Sequence, residues 1–224
     1  MGQKFKAIFF DLDGTLVDIH GPLYLATRRA MEDSGTQAQF TRDHYNAALA
    51  ARDLWFLAPK KTRKDYLKLA LMHLVTELDR TERLEVLPHV HETLSLLKRR
   101  GYATAVITSR PGDAQRLVEK LAMVGLAPLL DQVVTQARAT LGALDKTVSL
   151  RATALKMDIL PHACMYVGDE PRDVMAANGA GFGAAVAVAT GPASYAFLCD
   201  HPRHRPDHVM HSMAELIDLI DRLQ

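Results

Sequence analysis

Asp11 and Asp13 stand one residue apart at the end of the apolar run in FKAIFFDLDGTLVD, residues 5–18. Two carboxylates that close cannot both stay charged unless something cationic compensates them. A hard divalent cation such as Mg²⁺, held by oxygen ligands, is the natural compensator. The competing reading is a strand that runs into an ordinary Asp-Gly turn, a common dipeptide with no chemistry attached.

The elements around this pair restrict where it can sit. Ala7 to Phe10 form an apolar run without polar alternation, the pattern of a central strand in a parallel sheet covered on both faces. Such sheets carry their chemistry just beyond the carboxyl ends of the strands, which is where Asp11 and Asp13 fall. From residue 18 to about 86 the periodicity is helical, with expected helices over 21–31, 41–57 and from Thr62 onward. From Pro88 the rhythm alternates, with strands expected over 102–108, 131–135, 164–168, 183–189 and 207–210, and helices between them. The expected fold is α/β, a Rossmann-like doubly wound parallel sheet with an inserted α-helical cap. Residues 1–17 and 87–224 form the core and residues 18–86 the cap, with no room for a second insertion between Thr108 and Lys146.

Composition narrows the partners. The chain has 224 residues, 48% of them hydrophobic, which is enough for a substantial core. Lys and Arg number 27 against 26 Asp and Glu, so no global field draws the chain to nucleic acid or an anionic membrane. Cys164 and Cys199 provide neither a disulfide framework nor zinc spacing, which suits a reducing cytoplasm. The first residues lack a signal peptide's apolar segment, and no apolar run reaches membrane-span length. A cytoplasmic protein, monomer or homodimer, is expected.

DLDGTLVD resembles the first motif of the haloacid dehalogenase superfamily, and three further motifs of that superfamily follow in order, so the resemblance spans nearly the whole chain. It implies that Asp11 is the nucleophile and Asp13 the general acid and base. Thr108, with Ser109 behind it, resembles the second motif and implies hydroxyl donation to a phosphate oxygen. Lys146 resembles the third, a cation for the charge shared by phosphate and Asp11. The run Asp145-Lys146-Thr147-Val148 departs from the usual Lys-Pro pair, and Lys156 is the competing cation. Gly168-Asp169 with Asp173 four residues on resembles the fourth motif. It implies Mg²⁺ held by Asp11, Asp169 and the Asp13 main-chain carbonyl, with Asp173 behind the metal or paired with Lys146. Arg110 reads as a loop charge and Glu170 as solvent-facing.

The resemblance implies a Mg²⁺-dependent phosphatase acting on a small phosphorylated metabolite through an aspartyl-phosphate, near the phosphoglycolate-phosphatase-like members. An Asp at position 13 favours phosphate esters over the superfamily's dehalogenases. Two alternatives stay open: a phosphomutase of the β-phosphoglucomutase type, and a binding protein on the same fold. In the cap, Arg52 and Lys60 are the candidate substrate-facing residues, with His20 beside the hinge.

Overall fold

The computed structural model describes residues 4–35, 40–50, 63–136 and 145–224. The chain divides into two compact units, residues 1–18 with 83–224, and residues 19–82.

The first unit is built on β1 (Ala7–Phe10), β2 (Ala103–Pro111), β3 (Gln132–Gln136), β4 (Cys164–Gly168), β5 (Ala184–Val188) and β6 (His208–Met210). Among the described residues these strands make one parallel sheet in the order β3-β2-β1-β4-β5-β6. The order reverses at β1, which pairs with β2 on one side and β4 on the other, with Phe10 opposite both Val106 and Val167. That reversal is the topological switch point, where open α/β sheets leave a crevice at their carboxyl edge.

The unbroken apolar run of β1 is explained by its position. Successive side chains of a strand point to opposite faces. Ile8 and Phe10 enter one core with Val106, Met165, Val167 and Val186. Ala7 and Phe9 enter another with Ala105, Ile107, Tyr166 and Ala185. The first core is covered by α4 (Val90–Arg99), α5 (Ala114–Met123) and α9 (Leu216–Leu223), the second by α6 (Thr147–Lys156) and α7 (Pro171–Ala180). With helices on both faces, every inward position of the central strand is apolar. A short α8 (Tyr195–Cys199), capped by Ser194, lies between β5 and β6.

β2 runs three residues beyond the expected Thr108 terminus. Pro111 pairs with Gln136, and Gly112 N–H donates to the Gln136 carbonyl at 3.0 Å, across a register shift after Ile107. This extension carries Arg110 along the sheet edge rather than into a loop.

The segments leaving and re-entering this unit pair antiparallel, with Asp18 N–H donating to Glu85 O at 2.8 Å and Leu87 N–H to Leu16 O at 3.0 Å. Residues 83–86 therefore stay with the sheet.

The second unit contains α1 (His20–Asp33), α2 (Arg42–Ala50) and α3 (Arg63–Arg80). Leu23, Met31, Phe40, Tyr45, Tyr66 and Ala70 form its core. Glu77 on α3 pairs with Arg29 on α1, and His73 Nε2 sits 2.7 Å from Asp33 Oδ2. Among the described residues no helix is long and apolar enough to cross a membrane.

Candidate active site

The sheet delivers the acidic residues to one edge. Asp11 follows the last residue of β1, and its N–H donates to Val167 O at 2.9 Å, continuing the ladder onto β4. Asp169 follows the last residue of β4. Lys146 immediately precedes α6, and Asp173 lies in the first turn of α7. Residues from three segments distant in sequence thus meet at the switch point.

Lys146 is at the centre of this group and only 1% of its side chain is exposed. Its Nζ lies 2.7 Å from Asp11 Oδ1 and 2.8 Å from Asp173 Oδ1, and donates to the Tyr166 hydroxyl at 3.2 Å. An ammonium has three protons, so each finds an acceptor. Burial alone would lower the Lys146 pKa, but Asp11 and Asp173 outweigh it and hold it above its ordinary value. Asp11 is pushed upward to about 7, chiefly by burial, with Asp173 and Asp13 adding to the rise and Lys146 opposing it. Asp11 Oδ1 also accepts from Leu12 N–H at 2.7 Å. Asp173 has both oxygens occupied, since its Oδ2 accepts from Glu170 N–H at 3.1 Å in a capping box.

Asp169 is held differently. Its Oδ1 accepts from Thr15 Oγ1 at 3.2 Å. Two glycines press on the other side of the carboxylate. A Cβ on Gly191 would lie 1.8 Å from Asp169 Oδ2, and one on Gly14 would lie 2.5 Å from the same oxygen. Gly14 also has φ +83°, a conformation that glycine adopts readily. Thr190 Oγ1 donates to Gly14 O at 2.6 Å, tying the loop after β5 to the turn after β1. The Asp169 carboxyl is pushed well above its usual range by burial, with Glu170, Asp173 and Asp11 adding to the rise and Arg172 opposing it.

This donor set fits a hard cation. Asp11, Asp169 and Asp173 each present a carboxylate oxygen, all within 4.8 Å of one another. The three buried carboxylates and the neighbouring Glu170 outnumber Lys146 and Arg172, an imbalance that is costly without further positive charge. The donors are all oxygen, as Mg²⁺ requires. Because Asp173 is already bound to Lys146 and the Glu170 amide, Asp11 and Asp169 are the carboxylates available to a metal.

β2 contributes the third side. Thr108 is buried, and its Oγ1 accepts from Arg110 N–H at 3.1 Å. The N-cap of α5 is Asp113, which accepts from Gln115 N–H, so Thr108 is not a helix cap. Ser109 Oγ is buried with no hydrogen-bond partner among the described residues. Arg110 is not an exposed loop charge. Its Nε donates to Asp13 Oδ2 at 2.7 Å and its Nη2 to Asp13 Oδ1 at 2.5 Å, with side chains 8% and 11% exposed. The strand extension accounts for the difference, because it places Arg110 beside the turn that carries Asp13.

Two further candidates are among the described residues. Lys156 is exposed and donates to Gln132 Oε1 at 3.2 Å. In the second unit, His20 Nδ1 is 3.1 Å from the Tyr45 hydroxyl. Arg52 and Lys60 fall outside the described residues.

A model of the haloacid dehalogenase-like hydrolase family matches residues 5–181. The chain belongs to the haloacid dehalogenase-like hydrolases. It is 27% identical to a phosphoglycolate phosphatase of Haemophilus influenzae, over 98% of this chain and 100% of that one. It is 30% identical to hexitol phosphatase A of Escherichia coli, over 96% of this chain and 94% of that one. A solved haloacid dehalogenase-like family protein from Streptococcus pneumoniae shares the fold, with a TM-score of 0.70 at 17% identity, covering 97% of this chain and 99% of that chain.

Several residues of this hydrolase's site are missing from the candidates read in the sequence. Tyr166 carries no expectation of its own in the sequence and Glu170 reads as solvent-facing, yet one accepts from Lys146 and the other caps α7 and pairs with Arg172 at 2.9 Å. Thr190 and Gly191 follow β5 at the same carboxyl edge as Asp11 and Asp169. The rule that such sheets act at that edge would have flagged them.

Proposed function

We propose that this hydrolase is a Mg²⁺-dependent phosphatase that cleaves a small phosphomonoester through an aspartyl-phosphate on Asp11. One observation carries the reading: the Asp11–Lys146 pair and Asp169 meet at the ends of adjacent central strands, where a phosphoryl group can be bound and its charge met. Two relatives named as phosphatases of small phosphorylated compounds support it.

In this reading an Asp11 carboxylate oxygen attacks phosphorus and the ester P–O bond breaks. The leaving oxygen takes a proton from Asp13. Water then attacks the aspartyl-phosphate, giving its proton to Asp13 and releasing inorganic phosphate and free Asp11. Thr108 and Ser109 orient the phosphoryl oxygens, and the partnerless Ser109 hydroxyl is a ready donor. Lys146 neutralises charge shared between Asp11 and the phosphoryl group. Asp173 fixes Lys146 in place. Asp11, Asp169 and the Asp13 main-chain carbonyl would hold Mg²⁺, which when bound supplies positive charge to the phosphoryl oxygens. We place the enzyme in the cytoplasm, consistent with its two free cysteines.

The test is hydrolysis of para-nitrophenyl phosphate by wild type and Asp11→Asn, with Mg²⁺ and with chelator. Mg²⁺-dependent turnover that vanishes in the variant is expected. Undiminished turnover by Asp11→Asn would overturn the assignment of the nucleophile. A panel of phosphoglycolate, hexitol phosphates and other sugar phosphates, assayed for phosphate release and for isomerised sugar phosphate, separates phosphatase from mutase.

A further inference from the structure

The proton-transferring residue of a two-step phosphatase must hold one geometry through both steps, because a displacement of about 1 Å costs on the order of a hundredfold in rate. Asp13 is poorly placed to achieve this alone. It forms an isolated bridge with Val17 at the mouth of a turn, and the next residue is Gly14 at φ +83°. The carboxylates that converge within 4.8 Å of one another are those of Asp11, Asp169 and Asp173.

Arg110 supplies what the turn lacks. The Nε and Nη2 protons of one planar guanidinium meet both Asp13 oxygens, at 2.7 and 2.5 Å, in a two-pronged pair. Such a fork fixes the plane of the carboxylate as well as its distance. An ionised carboxylate has about four lone-pair sites and the fork uses two. Each Asp13 oxygen therefore keeps a site for exchanging a proton with a leaving group or water. The guanidinium is itself held, since it is buried and its strand is locked by pairing to β3 up to Pro111. Its backbone N–H is bonded to Thr108 Oγ1.

We propose that Arg110 is a positioning residue for proton transfer, acting through Asp13 rather than on the phosphoryl group. This rests on the phosphatase reading above. Because Arg110 is two residues from Thr108 on the same strand, the β2 edge both orients the phosphoryl oxygens and aims the acid that protonates the leaving oxygen. A lysine would keep the charge at position 110 but present a point donor, without the fork.

The experiment exploits leaving-group chemistry. Para-nitrophenolate departs without needing a proton, whereas an alkoxide must be protonated as it leaves. Wild type, Arg110→Ala, Arg110→Lys, Asp13→Asn and the Asp13→Asn/Arg110→Ala double variant are compared on para-nitrophenyl phosphate and on an alkyl phosphomonoester that the wild type cleaves. General acid catalysis contributes roughly 10²–10⁴-fold, so Arg110→Ala is expected to lose about a hundredfold in kcat on the alkyl ester. On the aryl ester the pre-steady-state burst of para-nitrophenolate, which reports P–O cleavage alone, should slow less than about tenfold, while steady-state turnover falls further because Asp13 still activates water in the second step. Arg110→Lys should recover only part of the loss, and the double variant should be no worse than Asp13→Asn alone, as for two residues acting as one unit. A para-nitrophenolate burst slowed as much as alkyl-ester cleavage, a KM increase with kcat intact, or additive losses in the double variant would overturn the positioning role. Melting temperatures of the two single Arg110 variants identify a folding defect, and Arg110→Lys carries the comparison if Arg110→Ala does not fold. Loss of activity in Asp11→Asn with a para-nitrophenolate burst slowed as much as alkyl-ester cleavage in Arg110→Ala would sink this inference alone. Undiminished activity in Asp11→Asn would sink the phosphatase reading beneath it.

Discussion

Lys146 Nζ bridges Asp11 and Asp173, 2.7 Å from one carboxylate and 2.8 Å from the other, with almost no exposure to solvent. A buried cation shared by two buried anions makes position 146 as much a matter of stability as of chemistry. Removing one member of such a group leaves the others desolvated and unpaired.

Lys146→Met should therefore destabilise the chelator-treated protein by about 3–5 kcal/mol, the usual cost of orphaning a buried charge. Urea unfolding with and without Mg²⁺ checks this, and added Mg²⁺ should restore part of the loss by compensating Asp11. An unchanged urea midpoint would mean that Lys146 carries no structural charge balance.

Tyr166→Phe tests the third acceptor. The hydroxyl accepts from Lys146 and donates to Ile107 O, at 3.2 Å in each case. Its loss leaves one ammonium proton and one carbonyl short of a partner inside the sheet. A destabilisation of about 1–3 kcal/mol is expected in urea unfolding. A neutral effect would show that the Lys146 geometry stands without it.

Gly191→Ala should weaken Mg²⁺ binding more than it weakens the fold. The added methyl would meet Asp169 Oδ2, so the carboxylate or the loop after β5 must move. Displacing a metal-ligating carboxylate by altering its supporting contacts typically costs about 10- to 100-fold in affinity. Calorimetric Mg²⁺ titration and the Mg²⁺-dependent shift in melting temperature read this directly. An unchanged dissociation constant would remove Gly191 from the site.

Asp131 ties β3 to β2 away from the active site. It accepts from Thr104 N–H at 2.8 Å and pairs with Lys98 at 2.6 Å. Partial burial raises its pKa, but Lys98 and the Thr104 amide outweigh this and hold it below the ordinary carboxylate range. A carboxyl lowered in the folded state stabilises fully above its unfolded pKa of about 4, and the benefit is lost as pH falls through the folded value. Asp131→Asn should thus be less stable at pH 7 by about 1 kcal/mol, an amount limited by solvent screening of this half-exposed pair. The difference should shrink between about pH 4 and pH 2. Urea midpoints at pH 7 and pH 3 provide the comparison, and a gap that widens on acidification would reverse the sign argued here.

The sequence by itself determined the sheet class. A fully apolar β1, alternating strands and helices from residue 88, and the helical run between them are local patterns, written in side-chain periodicity. It also placed Asp11, Asp13 and Asp169 at strand ends, because the residue after an apolar run is readable without knowing the neighbouring strand. What only the tertiary structure decided are relationships between strands. Arg110 looked like loop charge because the length of β2 depends on its pairing with Gln136, and the register shift after Ile107 has no periodic signature. Tyr166 has no legible role in the sequence because its hydroxyl acquires meaning only when Lys146 arrives from 20 residues upstream. Gly191 and Thr190 acquire a role only when β5 takes its place beside β4 and brings them against Asp169 and Gly14. Hydrophobic periodicity encodes which face of an element is buried. Charge pairing and close approach at the carboxyl edge arise from strand order, which no single segment contains.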